Sequence, residues 1–327
     1  MTAVEILEKI ENQHVIIVGD VMIDRYLTGV VNRISPEAPV PVVLHKSTHD
    51  RLGGAANVAL NVQSLGGVPL LCGTVGADAD GASFLESLMP KHQLDGSGLL
   101  TSKHRKTTVK TRVLGNNQQM LRIDSEDTHD LNEQEAVEML HRVESLLKKH
   151  PVKTMILQDY NKGVLTAHTI QNLIELARKY QVFTAVDPKK HNFFAYEGVD
   201  LFKPNLKEIR ESAPFEVPAN LESLEKAAIF LQEKLKNKYT MLTLSEKGLF
   251  LKGDSAGRLY PTQPRNVADV SGAGDTVISI ASMALSAGLD LDTTAQLSNL
   301  AGGQVCESPG VVPVDKQLLL MELFNIN

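Results

Sequence analysis

The sequence predicts an α/β fold: a single domain over residues 1–327, in three α/β/α layers around a mostly parallel central sheet, with a small β-sheet lid. Three observations predict it. Short apolar runs that end in Gly, Asp or Asn alternate with segments of helical spacing, which is the pattern of a parallel sheet covered on both faces. A chain of 327 residues, 43% of them hydrophobic, can bury one large core. Two stretches, about 25–52 and 100–124, break the alternation and read as strands without helices.

Taken in order, "HVIIVGD" (14–20) is a buried strand. "GVVNRISPEAPVPVVLHKSTHDRL" (29–52) is β-branched, and its three prolines suit strand edges. "GGAANVALNVQSLGG" (53–67) has helical spacing and a Gly-Gly stop. "VPLLCGTVG" (68–76) is a strand and "DGASFLESLM" (80–89) a helix. "SKHRKTTVKTRVLGNNQQMLRID" (102–124) alternates like two strands around Gly115-Asn116-Asn117. "TMILQD" (154–159), "VFTAVDP" (182–188), "DLFKPN" (200–205) and "YTMLTLS" (239–245) are strands. Helices are predicted over 166–180, 220–235, from Asp275 to about Gly288, and over 292–306. Ligands of such sheets sit at the carboxyl ends of the strands. Asp20, Asp159, Asp187, Asn205 and Ser245 end these strands and should line one edge.

The formal net charge of −6, with mixed signs, argues against a general nucleic-acid binder. Cys72 and Cys306 lie among small or apolar residues and read as reduced thiols; no Cys/His group has zinc spacing. The N-terminus lacks the basic start and apolar core of a signal peptide, and no apolar run reaches eighteen residues. A cytoplasmic protein is expected.

"DVSGAGDTV" (269–277) carries the densest chemistry. A glycine-rich turn that opens a helix presents free N–H groups and the positive end of the helix dipole, which suits an anion. Asp275 could take a proton from a hydroxyl there; it could equally be a plain cap, since Asp caps helices well. Alone, the motif leaves both readings open. There is no G-x-G-x-x-G after the first strand, no G-x-x-x-x-G-K-[ST] and no G-x-S-x-G, so a Rossmann site, a P-loop and an esterase elbow are disfavoured.

Four motifs in order decide the matter. Asp269-Val270-Ser271-Gly272-Ala273-Gly274-Asp275, Gly53-Gly54 with Asn57, Asn205 with Glu208, and Thr243-Leu244-Ser245-Glu246-Lys247-Gly248 together resemble the ribokinase-like (PfkB) carbohydrate kinases along nearly the whole chain. Val270 departs from the Thr or Ser usual at that position. The resemblance implies Asp275 as the base, and the backbone of Gly272, Ala273 and Gly274 as the anion hole for the transferring phosphoryl group. It implies Asn205 and Glu208 in a water-linked shell around Mg²⁺ and the ATP phosphates, although Asn and Glu three apart also form a plain helix cap. It implies Thr243, Ser245, Gly248 and Asn299 near the nucleotide, and Asp269 beside a monovalent cation such as K⁺. For the sugar it implies Asp24, Gly53, Gly54 and Asn57, with Asp20 assisting. Gly53-Gly54 as a turn, Asn57 as a helix-start bond, Asp20 as a strand-end cap and Asn299 as a solvated helix residue are the structural alternatives.

"VGDVMIDRY", "RISPEAPVPVV", "NQQMLRID" and "DYNKG" narrow the resemblance to the branch of the family that phosphorylates a heptose 7-phosphate at its C1 hydroxyl. A 7-phosphate needs cations. Lys103, His104, Arg105, Lys106, Lys110, Arg112 and Arg122 lie on the second lid stretch, and Arg33 lies on the first. Lys106, Lys110 and Arg112 share strand parity, and Lys110 and Arg112 are the best placed. Asp159, Lys162 and Lys189 follow strands at the ligand edge and are expected near substrate or ATP phosphates. In many bacteria such a kinase is joined to an adenylyltransferase half; a chain ending at Asn327 reads as a stand-alone kinase. The resemblance also implies a homodimer through the lid, and no nucleic-acid or membrane partner. A family member acting on ribose, fructose or a hexose phosphate, and a non-catalytic sugar binder, remain the alternatives.

Overall fold

The computed structural model describes residues 1–324. In chain order these form α1 (Ala3–Ile10), β1 (His14–Gly19), β2 (Val21–Ile34), β3 (Pro41–Gly54), α2 (Ala55–Ser64) and β4 (Val68–Gly76). Helix α3 (Ala79–Ser83) continues through a π-helical turn (Phe84–Leu88) into α4 (Met89–Lys91). Next come β5 (Gly98–Ser102), β6 (Val109–Gly115), β7 (Gln118–Ser125), α5 (Glu133–Lys149), β8 (Val152–Gln158), α6 (Ala167–Lys179), β9 (Phe183–Asp187), β10 (Leu201–Phe202) and α7 (Leu206–Ser212). The chain ends with α8 (Leu221–Leu235), β11 (Tyr239–Thr243), β12 (Leu249–Lys252), β13 (Arg258–Tyr260), α9 (Ala273–Ser286), α10 (Leu291–Cys306) and α11 (Lys316–Phe324).

The large sheet runs β13-β12-β11-β10-β9-β8-β1-β4-β5. From β5 to β11 every pairing is parallel; β12 and β13 add an antiparallel edge. The pleat sends alternate residues to opposite cores. Val15 and Ile17 of β1, Ile156 of β8 and Met241 of β11 pack with α1, α2, α9, α10 and α11 on one face. Ile16, Val18, Met155, Leu157 and Leu242 pack with α5, α6 and α8 on the other. Continuous apolar runs are therefore what a doubly covered sheet demands.

The small sheet runs β3-β2-β6-β7. Asn116 and Asn117 both have positive φ (52° and 64°), so β6 and β7 join through a tight two-residue turn. Pro41 opens the edge strand β3, where a missing N–H costs no ladder bond. Two boundaries differ from the sequence expectation. Gly98–Ser102 belongs to the large sheet, paired to β4, because Leu99 and Leu100 are both buried; the second small-sheet segment therefore starts at Val109, not near residue 100. The first starts at Val21, directly after the end of β1.

Helices α1, α5, α7 and α11 lie outside the segments the sequence marks as helical. Helix α5 nevertheless carries a full capping box, Asn132 with Glu135, and an apolar stripe of Ala136, Met139, Val143, Leu146 and Leu147. Both cysteines are free thiols. Among the described residues, no helix is long and apolar enough to cross a membrane.

Candidate active site

Helix α9 begins without a side-chain cap. Gly272 occupies the cap position at φ 84°, a conformation that favours glycine, and a Cβ there would lie 2.9 Å from Asn57 Nδ2. Among the described residues, the amides of Gly272, Gly274 and Asp275 find no acceptor within the chain, as the first turn of a helix requires. The loop before them is braced. Asp269 accepts the Ser271 amide through Oδ1 (2.9 Å) and the Gly310 amide through Oδ2 (3.1 Å).

Asp275 is 3% exposed and is held by three donors, one from α2 and two from the end of β8 and the turn that follows it. Gln158 Nε2 (3.0 Å) and the Tyr160 hydroxyl (2.7 Å) donate to Oδ1, and Asn57 Nδ2 (2.8 Å) donates to Oδ2. A carboxylate has about four acceptor positions, two per oxygen, so Oδ1 is filled and Oδ2 keeps one open. Burial is the main cause that raises the Asp275 pKa to about 6; the bonds from Asn57 and Tyr160 pull it down, and nearby Asp187 pushes it up. Asp275 is thus a carboxylate at neutral pH, but a more basic one than an exposed Asp. Beside it, the buried Lys203 ammonium lies 3.1 Å from Asp187 Oδ2, which also accepts from Gln158 Nε2 at 3.2 Å.

The α9 N-terminus and Asp275 open onto a cavity of about 1080 Å³ between the ends of β9, β10 and β11 and the second half of α10. Asn205, Thr243, Ser245, Gly248 and Asn299 line it, as the resemblance implies. Their local roles are structural as well. Gly248 has φ 90°, and a Cβ there would sit 2.0 Å from the Tyr260 carbonyl oxygen. Asn299 Nδ2 donates to that same oxygen at 2.8 Å, so it pins β13 rather than being merely solvated. Asn205 and Glu208 form a complete capping box on α7, and the other Glu208 oxygen accepts from Lys189 Nζ. Glu208 does not line the cavity; it holds Lys189, which does. Among the described residues no three His, Cys, Asp or Glu side chains gather as a metal cage, so Mg²⁺ here would keep mostly waters and phosphate oxygens. The unpaired amides, Lys189 and Lys203 fit a nucleotide polyphosphate.

The small sheet does not line this cavity; it approaches Asp275 from the other side, through Asn57 at the start of α2 and Lys110 beside Tyr160. Asp24, nearly buried, pairs with Arg112 across β2 and β6, and a Cβ on Gly53 would fall 2.1 Å from Asp24 Oδ2. Gly54 holds φ 59° and caps α2, whose first turn carries Asn57 to Asp275. Lys110 lies 5.6 Å from the centre of the Tyr160 ring and forms no ion pair among the described residues. Burial, and then the charge of Lys162, hold its pKa below the ordinary value. Lys162 itself pairs with Glu126 (2.6 Å). The other lid cations go elsewhere. Lys103, His104 and Arg33 are exposed, Lys106 faces Asp127, and Arg122 faces Asp124. Arg105 donates to the Lys162 and His129 carbonyls.

Two predicted sugar contacts turn inward. Asp20 accepts the amides of Tyr160, Lys162 and Val164, and Asp159 accepts the Asn161 amide and the Tyr196 hydroxyl. Both are buried, and neither lines the cavity. Their oxygens are needed to fold the 159–163 turn, so the geometry corrects a ligand contact to a bracing contact. Gln158, Tyr160 and Lys203 are the site residues the sequence reading missed. The available signal was a polar or cationic residue at the end of a buried strand: Gln158 closing "TMILQ" and Lys203 closing "LFK".

Solved structures with this fold include phosphofructokinase-2 from Escherichia coli in complex with potassium (TM-score 0.79, 19% identity, 96% of this chain and 99% of that one). Another is Arabidopsis thaliana ribokinase complexed with ribose and ATP (TM-score 0.73, 17% identity, 97% and 100%). Among curated proteins, the chain is 39% identical over 309 residues to the bifunctional protein HldE of Methylobacillus flagellatus, covering 94% of this chain and 63% of that protein. It is 40% identical over 318 residues to that of Shewanella baltica, covering 97% and 65%. The chain thus spans a little under two thirds of the length of these relatives. Residues 12–317 match the family model described as pfkB family carbohydrate kinase. With that match over nearly its whole length, the chain belongs to the pfkB family of carbohydrate kinases.

Proposed function

We propose that this protein transfers the γ-phosphoryl group of Mg-ATP to the C1 hydroxyl of D-glycero-β-D-manno-heptose 7-phosphate, giving the 1,7-bisphosphate on the route to an ADP-heptose for lipopolysaccharide. The observation that carries the kinase reading is one open lone pair, on Asp275 Oδ2, beside three unpaired amides at the start of α9. A hydroxyl that donates to Oδ2 is deprotonated as its oxygen attacks, while the amides receive the charge that develops on the phosphoryl oxygens. Bound Mg²⁺ would neutralise phosphate charge. Lys189, held by Glu208, and Lys203, held by Asp187, fix two further cations near the phosphates.

The choice of sugar rests on the small sheet beyond Asp275. Asn57 bonds the base, Asp24 and Gly53 lie against each other on the small sheet, and the half-buried Lys110, with no ion pair among the described residues, suits the far phosphate. Arg112 is committed to Asp24 and orients it. The segments that narrow the resemblance to heptose 7-phosphate kinases and the relatives named HldE support the same substrate. The reading includes a homodimer through the small sheet, whose outward face exposes Leu121 and Ile123 (49% and 54%), and a cytoplasmic site of action. Purified protein, Mg-ATP and a panel of sugars and sugar phosphates, with and without K⁺, test it by ADP release. Turnover confined to ribose or fructose 6-phosphate contradicts the heptose assignment. Tight sugar binding with no turnover favours a binding protein.

A further inference from the structure

The "DYNKG" segment is used almost entirely to make a turn. Asp20 takes the amides of Tyr160 and Lys162, and that of Val164 just beyond the segment, and Asp159 takes that of Asn161. Asn161 sits at φ 55°, and Gly163 at φ 85°, where a Cβ would strike the His129 carbonyl oxygen at 2.0 Å. Two buried carboxylates and two left-handed residues fix five positions. The one side chain this turn delivers to the reaction centre is Tyr160, whose hydroxyl donates to Asp275 Oδ1 at 2.7 Å.

We propose that Tyr160 is the positioning residue of the base: its hydroxyl, with Gln158, occupies Asp275 Oδ1, so that Oδ2 alone is open to the acceptor hydroxyl. This rests on the reading of Asp275 as the base. The ring of Tyr160 extends the role. Lys110 from the small sheet and Lys189 from the nucleotide side each lie 5.6 Å from its centre, within cation–π range. One aromatic side chain therefore touches the base, the cation facing the sugar phosphate and the cation facing the nucleotide.

The groups that face Asp275 are Asn57 from α2, Gln158 and Tyr160 from the end of β8, Asp187 from β9, and the ammonium groups of Lys203 and Lys189. Tyr160 also feels Asp24 and Asp187, and its own ionisation lies well above the ordinary range, chiefly through burial, so it remains a donor throughout. Tyr160→Phe keeps the ring and both cation contacts and removes one hydrogen bond from the carboxylate. Asp275 then holds its proton more tightly.

The test uses protein with ¹³C-carboxyl aspartate, the Asp275 resonance being assigned by its loss in Asp275→Asn. The titration midpoint of Asp275 is expected to rise by about one pH unit in Tyr160→Phe. The acid limb of kcat/KM should move with it, and kcat should fall about tenfold with the KM for ATP unchanged. An unshifted midpoint overturns the proposal even if activity is lost. A shifted midpoint together with an active Asp275→Asn supports the tether and sinks the base reading instead, so the two failures are distinguishable.

Discussion

At the residue scale, the proposed base is one carboxylate, and its environment sets its working range. Burial raises the Asp275 pKa to about 6, so the form the proposed mechanism needs is present above that pH and lost below it. The kcat/KM profile should therefore fall on its acid side with an apparent pKa near 6, and Asp275→Asn should lower kcat about 10²- to 10⁴-fold with little change in the KM for ATP. A profile that is flat down to pH 5, or a variant with near-normal turnover, removes Asp275 from the role. Asp275, Gly272 and Asn57 were legible in the sequence because their spacing in short motifs carries the information. Gln158, Tyr160 and Lys203 were not, because their roles arise only when β8 and β10 end beside α9, more than 70 residues away in the chain. Asp20 and Asp159 misled for a related reason: a strand-end aspartate looks the same in sequence whether it faces a ligand or the next turn.

At the element scale, strand and helix ends hold the site in place. The Asn205–Glu208 capping box starts α7 and leaves one Glu208 oxygen to hold Lys189 at the cavity wall. The cap is present in full, and Glu208 reaches the cavity only through Lys189. Asn205→Ala should cost about 1 kcal/mol of stability, measured by denaturant unfolding, and should also raise the KM for ATP as Glu208 and Lys189 lose their anchor. A stability loss with an unchanged KM would confine the pair to capping. Strands of continuous apolar residues, such as β1 and β4, were legible because both faces of a parallel strand are buried, and α8 because Asn220 and its 3.6-residue pattern mark both ends. The start of the small sheet's second segment was misplaced because Leu99 and Leu100 continue the alternation into a different sheet.

At the scale of the whole molecule, the proposed site draws on two sheets. The large sheet brings the cavity to the carboxyl ends of its strands, and the small sheet brings Lys110 against Tyr160 beside it. The alternation of strands and helices was enough to read the first, while the second appeared in sequence only as an interruption. The outward face of the small sheet leaves Leu121 and Ile123 exposed, opposite Val113 and Thr111. If a second copy covers it, Ile123→Glu should turn the dimer into a monomer in sedimentation velocity with the large domain still folded. A wild-type monomer at micromolar concentration contradicts that part.

The most direct test of the account is the product itself. Wild-type protein, Mg-ATP and D-glycero-β-D-manno-heptose 7-phosphate are followed by ³¹P NMR, with Asp275→Asn as control. The predicted result is a new anomeric phosphate signal on the 7-phosphate sugar, formed one-to-one with ADP and absent from the control. ADP formation without a new sugar phosphate, or an anomeric signal from the control at the wild-type rate, contradicts the account.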